Sequence, residues 1–237
     1  MFILYFYGNH IIIILIFTEV NEDHMRVPNH IGIIPDGNRR WALLNNLTKD
    51  KGYEHGINPG LEVFKLCQKE NIKELTFYGF TIDNTKRPSE QKLAFIQACI
   101  DSVMLLTKED CEILVIGNTE SSAFPKALIP FTTRKKFGNG GIKVNFLIHY
   151  GWEWDLNLLK ESNPSNKHIL PYIHSEDISR IDLIIRWGGR RRLSGFLPIQ
   201  SVYSDFYVID TYWPDFTSAD FYNALDWYNE QDVTLGG

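Results

Sequence analysis

The sequence predicts an α/β fold: a single domain around a central, mostly parallel six-stranded sheet flanked by helices. Three observations carry this. Short runs rich in β-branched and aromatic residues recur at 30–35, 74–80, 111–117, 143–150, 180–187 and 205–213, bounded by turn-forming residues. Between several of them, apolar residues recur every three or four positions, which is one face of a helix. Runs such as DLIIRW (182–187) are nearly continuous in apolar side chains, which suits a parallel sheet covered on both faces.

The elements follow in order. HIGIIP (30–35) is the first strand of the set. Residues 55–70 place Ile57, Leu61, Phe64 and Cys67 on one helix face, and ELTFYGF (74–80) is the next strand. Residues 88–106 carry Leu93, Ile96, Ile100 and Val103 at helical spacing, before CEILVIG (111–117) and KVNFLIHY (143–150). RIDLIIRW (180–187) and DFYVIDTYW (205–213) complete the six. A last helix over 217–229 begins with Thr217 and Ser218, both good caps. KKFGNGG (135–141) and ESNPSNKH (161–168) read as loops within the domain.

Composition excludes several function classes. Apolar residues make up 44% of the 237 and charged ones 22%, an ordinary globular balance that can build a sizeable core. The net charge of −5 argues against nucleic-acid binding, so any anion site must come from local clustering of arginine. The three cysteines, Cys67, Cys99 and Cys111, are odd in number and form no C-x-x-C. They read as buried reduced thiols of a cytoplasmic protein, not as a disulfide framework or a zinc site. The first 24 residues form an apolar extension that lacks a basic leader and a small-residue cleavage site. The expected domain is therefore 25–237, with Met25 read as the natural start. A peripheral membrane anchor is the other reading of the extension.

In open α/β sheets ligands sit beyond the carboxyl ends of the strands. Three such ends stand out here. The first carries Asp36, Gly37, Asn38, Arg39 and Arg40, the second Thr81, Asp83, Asn84, Lys86 and Arg87. The third, RWGGRRRLS (186–194), holds four arginines within seven residues, around two glycines. PDGN alone is good turn chemistry. Followed by Arg39 and Arg40 at a helix start, it is also a place for a diphosphate, with Asp36 left to hold Mg²⁺ bridging the phosphate oxygens. The arginine run could be a solvated basic loop. Its glycines allow close backbone approach, and forked guanidinium groups beside Ser194 make a phosphate clamp. No Walker A or G-x-G-x-x-G sequence is present, so nothing points to a nucleotide.

HIGIIPDGNRRWA, LTFYGFTIDNTKRP and DLIIRWGGRRRLSGFLPIQSVYSDFYVIDTYWPDF together resemble the cis-prenyltransferases, the undecaprenyl diphosphate synthase family. The similarity runs from about Val27 to the C-terminus. It implies a one-domain α/β fold, usually a homodimer, that condenses isopentenyl diphosphate onto an allylic diphosphate with Mg²⁺. By this resemblance Asp36 is the essential aspartate that binds Mg²⁺. Gly37, Asn38, Arg39 and Arg40 hold the allylic diphosphate with Trp41 beside them, and Lys49 and Arg87 add basic contacts. Thr81 and Asn84 assist proton removal. Arg186, Arg192 and Ser194 form the isopentenyl diphosphate site, and Asp205 stands where a second Mg²⁺ ligand is usual.

The departures from the family pattern are as informative. Tyr53 replaces a frequent histidine, Thr85 an aromatic residue, and Trp187 and Arg190 a threonine and a glutamate. HYGWEWD (149–155) replaces N-Y-G-G-R-x-D, and VTLGG (233–237) lacks a terminal arginine. Asp205 is one methylene shorter than the usual glutamate. These changes keep open an alternative reaction on the same fold. This is irregular head-to-middle coupling of five-carbon allylic diphosphates, giving lavandulyl-type skeletons with or without ring closure.

Overall fold

In the computed structural model, the described residues are 26–159 and 169–232, together with two backbone strands near the N-terminus. Those strands, β1 (Phe2–Tyr7) and β2 (His10–Leu15), pair antiparallel as a sheet of their own. The expected loop at 161–168 and the VTLGG terminus lie outside the described residues.

The main sheet has seven strands, not six. They are β3 (His30–Ile34), β4 (Glu74–Tyr78), β5 (Cys111–Ile116), β6 (Lys135–Phe137), β7 (Ile142–Leu147), β8 (Leu183–Arg186) and β9 (Asp205–Val208). The spatial order is β6-β5-β7-β4-β3-β8-β9, with every pairing parallel except β5 with β6. The extra strand is the KKF that reads as a loop. It is three residues long and its two lysines are exposed, so no apolar periodicity marks it.

One face of the sheet carries the helices. Helix α1 (Asn38–Leu44) follows β3, and α2 (Ile57–Lys69) and α3 (Ser89–Leu106) occupy the two expected helical stretches. Their buried residues Val63, Phe64, Cys67, Cys99, Val103 and Leu106 pack on Ile31, Ile33, Leu75 and Phe77 of the sheet. The last helix, Ser218–Asn229, joins the same core through Phe221, Ala224, Leu225 and Tyr228. Its cap is the expected one: Thr217 Oγ1 accepts a hydrogen bond from the Asp220 amide at 3.3 Å. On the opposite face, Ile34, Tyr78, Leu114 and Leu147 are covered mainly by irregular chain, through Ile178, Ile181, Phe196 and Leu197. Both faces are thus covered as the apolar strands require, but helices dominate only one. The three cysteines are buried and unpaired.

A buried polar chain crosses the amino end of the sheet. Asn145 donates to Glu74 Oε1 at 2.7 Å and to Thr76 Oγ1 at 2.9 Å. His30 Nε2 lies 2.8 Å from Thr76 Oγ1, and His30 Nδ1 lies 3.1 Å from the Ser179 carbonyl oxygen. A carbonyl only accepts, so Nδ1 carries the proton and Nε2 accepts from the Thr76 hydroxyl. Burial holds the His30 pKa below its ordinary value, against the opposing pull of the Glu74 carboxylate. The unfolded chain therefore takes up this proton first. Stability is complete above the unfolded value, about 6.5, and falls as the pH drops through it toward the lower folded value. We expect chemical denaturation to show stability falling as the pH drops below about 6.5. His30→Gln should flatten that slope; an equal slope in the variant would remove His30 from the effect.

Candidate active site

The sheet register assembles the site. Ile34, the last residue of β3, aligns with Arg186, the last of β8, so the chain following β3 starts beside that guanidinium. Asp36 Oδ2 accepts from Arg186 Nη2 at 2.8 Å and lies 3.4 Å from Arg40 Nη2. Arg186 is only 4% exposed. Its Nη1 donates to Ser194 Oγ at 3.0 Å and to the Arg192 carbonyl, while its Nε is buried without a partner. A buried cation with an unused donor is costly unless further negative charge arrives.

Two glycines make the approach possible. Gly37 has φ +110°, and a Cβ there would meet the Tyr212 side chain at 2.5 Å. Gly188, at φ +83°, turns the arginine loop back onto the first one; a Cβ would meet Arg40 Nη2 at 2.5 Å and the Asp36 carbonyl at 3.1 Å.

Two polar cavities meet at Asp36. The first, of about 230 Å³, is lined by Asp36, Asn38, Arg39, Tyr78, Thr81, Asp83, Asn84, Arg87, Arg186 and Ser194, among others. The second, of about 350 Å³, is lined by Asp36, Gly37, Arg39, Arg40, Leu43, Lys49, Arg190 and Arg192. A third chamber, of about 70 Å³ and mostly apolar, lies between α2, α3 and the sheet and includes Leu61, Phe77, Cys99, Leu105 and Phe146 in its wall.

Most of the expected site residues come together, but not in the expected groups. Arg186 and Ser194 face the first cavity and Arg192 the second, while Arg39 reaches both. The two sets interleave because Gly188 folds the arginine loop over Asp36. Thr81 and Asn84 form one polar turn, in which the Thr81 amide donates to Asn84 Oδ1 at 3.0 Å. Arg87 lines the first cavity but also donates from Nη1 to Tyr53 Oη at 2.8 Å. Trp41 lines neither polar cavity. Its indole donates to Asp215 Oδ1 at 2.6 Å and its ring lies 4.6 Å from that of His55, because helical spacing turns it away from Arg39 and Arg40.

Asp205 does not join Asp36 within this chain. It is the first residue of β9, aligned with Leu183 and, through it, with Ile31. That is roughly 10 Å down the strands from the Ile34 rung and about two strand spacings across. There its carboxylate pairs with Arg26 at 3.6 Å. Among the described residues no three His, Cys, Asp or Glu side chains gather as a metal cage. The donor set at Asp36 nevertheless suits Mg²⁺, which keeps several waters and is usually held by one or two carboxylates plus substrate phosphates.

A family model described as putative undecaprenyl diphosphate synthase matches residues 34–236. The chain belongs to this family. As an undecaprenyl diphosphate synthase family member it is a prenyltransferase, an enzyme that transfers an alkyl group larger than methyl. It is 30% identical over 239 residues to the ditrans,polycis-undecaprenyl-diphosphate synthase ((2E,6E)-farnesyl-diphosphate specific) of Buchnera aphidicola subsp. Schizaphis graminum, covering 92% of this chain and 94% of that one. It is 32% identical over 237 residues to the isoprenyl transferase of Lactococcus lactis subsp. lactis, covering 91% and 96% respectively. In fold it is similar to lavandulyl diphosphate synthase from Lavandula x intermedia, solved with dimethylallyl diphosphate, with TM-score 0.78 and 23% identity over 89% of this chain and 99% of that one.

The site also contains residues to which the motifs assign no role. Arg190, one of the four arginines of the RWGGRRRLS run and a departure from the family pattern, adds a cation to the second cavity. Tyr78 lines the first cavity and donates to the Ser194 carbonyl at 2.8 Å, and burial pushes its phenol pKa up. Tyr53 and Phe95 stand at the wall between the first cavity and the apolar chamber. Tyr53 stands out in the sequence only as a departure from the family pattern, whereas Tyr78 and Phe95 read as ordinary core. Among the described residues no helix is long and apolar enough to cross a membrane.

Proposed function

We propose that the protein is a Mg²⁺-dependent cis-prenyltransferase that condenses isopentenyl diphosphate with an allylic diphosphate to give a cis-prenyl diphosphate. The observation that carries this is the meeting of two arginine-edged cavities at the one carboxylate of Asp36, with an apolar chamber behind the first. Two diphosphates need two cationic pockets, and two carbons that must bond need those pockets to adjoin. The catalytic unit in this reading is 25–237, acting as a homodimer in the cytoplasm, with 1–24 as an extension.

The allylic C–O bond breaks and its electron pair leaves with the diphosphate. Arg39, Arg40 and Arg186 stabilise the growing negative charge in place of water. Asp36 would hold Mg²⁺, which would supply Lewis acidity to the leaving diphosphate. The isopentenyl double bond forms the new C–C bond, which is a matter of holding two carbons in contact. The resulting cation loses one proton at the polar wall of Thr81 and Asn84, and the proton passes to solvent.

The narrow apolar chamber favours a second reading, head-to-middle coupling of two five-carbon allylic diphosphates. Both are tested by incubating the protein with Mg²⁺, labelled isopentenyl diphosphate and allylic diphosphates of five to twenty carbons. Labelled cis-prenols after phosphatase treatment support condensation. Products from the five-carbon allylic diphosphate alone, without label, support the second reading. We expect a chelator to stop turnover and added Mg²⁺ to restore it; turnover indifferent to the chelator would remove the metal from the mechanism.

A further inference from the structure

Tyr53 and Phe95 form a seam where the diphosphate cavity adjoins the apolar chamber. Their rings stack at 4.5 Å with planes 6° apart, and Tyr53 is only 4% exposed. The Tyr53 hydroxyl is held by Arg87 at 2.8 Å, the Arg87 guanidinium lies 5.3 Å from the Phe95 ring centre, and Phe80 meets Phe95 edge-on at 5.7 Å. Five residues line both spaces: Pro35, Asn38, Tyr53, Gly79 and Phe95. Two of these five are the stacked rings. A hydrocarbon attached to a diphosphate in the first cavity therefore meets the seam before it can enter the chamber.

The chamber behind the seam is small. Its volume of about 70 Å³ is less than half of the roughly 150 Å³ that accommodates one benzene. A five-carbon allylic group can sit at the seam with its diphosphate beside Asp36, whereas a fifteen-carbon tail needs both rings displaced. Displacement would break the Arg87 hydrogen bond and separate a face-to-face aromatic pair, each of which opposes it.

We infer that the Tyr53–Phe95 stack, locked by Arg87, sets substrate length by admitting five-carbon allylic diphosphates and rejecting long ones. The inference rests on the prenyl-transfer reading for its ligand class, yet it concerns which tail fits and not whether chemistry follows.

The test is binding of unreactive thiolodiphosphate analogues bearing five-carbon and fifteen-carbon allylic tails, by titration calorimetry with Mg²⁺ on the full chain. The wild type is expected to bind the five-carbon analogue at least roughly tenfold more tightly, a difference equivalent to about two buried methylenes. Tyr53→Ala should reduce or invert that ratio by a similar factor. Phe95→Ala carries the same expectation if the first variant folds poorly, and Tyr53→Phe, which keeps the ring but loses the Arg87 hydrogen bond, should lower the ratio by less than either alanine variant. Equal affinity of the wild type for both analogues would overturn the inference while leaving prenyl transfer intact. So would a ratio unmoved in both alanine variants. If no protein binds either analogue, the inference and the prenyl-transfer reading fall together.

Discussion

Asp36→Ala is expected to lower kcat by roughly a thousandfold or more, the scale of losing a principal electrostatic contribution, with little change in the fold. Asp36 is the one residue that lines both polar cavities and also pairs with Arg186 and Arg40. Its side chain is about one-third exposed, at 35%, so its removal opens no core cavity. The variant should stay folded but melt below the wild type, because truncation leaves the nearly buried Arg186 guanidinium without its carboxylate partner. Steady-state kinetics beside a thermal melt separates the two effects. Near-normal turnover in a folded Asp36→Ala protein would end the role assigned to this carboxylate. Asp36→Asn adds a control: it can still accept from Arg186 but cannot supply the negative charge that a cation needs.

Arg186→Ala is expected to act on both the site and the fold. The guanidinium is almost fully buried and joins Asp36, Ser194 and the Arg192 carbonyl. Truncation leaves three acceptors without their donor, a loss of about 1–3 kcal/mol in stability for each that water cannot reach. It also detaches the loop that carries Arg190 and Arg192 from β3. We expect kcat/KM for the allylic diphosphate, the one placed in the first cavity, to fall roughly a hundredfold or more, as for the loss of a preorganised anion contact. Arg186→Lys should recover only part of this, because an ammonium cannot reproduce a forked contact to both Asp36 and Ser194. Kinetics of both variants with each diphosphate varied in turn checks this. Full activity in Arg186→Lys would show that charge alone suffices at this position.

Much of this arrangement can be read from the linear chain. The six apolar runs and the three helical stretches all correspond to elements of the structure. The residues after β3, β4 and β8 do converge, because a parallel sheet puts all its carboxyl ends on one edge. What the chain does not display is register. Asp205, expected as a second Mg²⁺ ligand from its place in a motif, begins β9 and so lies, within this chain, toward the other end of the strands, paired with Arg26. Trp41 shows the same effect: it is adjacent to Arg40 in sequence, but its indole meets Asp215 and His55. β6 is invisible because three residues with two lysines carry no period. Tyr53 and Phe95 are 42 positions apart in the sequence, and nothing in either neighbourhood predicts that their rings will stack.

The short strand β6 has a role that has nothing to do with the reaction. Without it, β5 would present its backbone amides and carbonyls at the rim of the sheet, where another chain could add a strand. Instead, Cys111, Glu112 and Ile113 pair with Phe137, Lys136 and Lys135. The turn at Lys126–Phe131 also packs against β5. The new rim is only three residues long, antiparallel to its neighbour and studded with two ammonium groups. It offers an incoming strand too little ladder to hold and a positive charge to overcome. The protein thereby blunts self-association at the border farthest from β9, at the expense of a segment too short and too charged to resemble a strand.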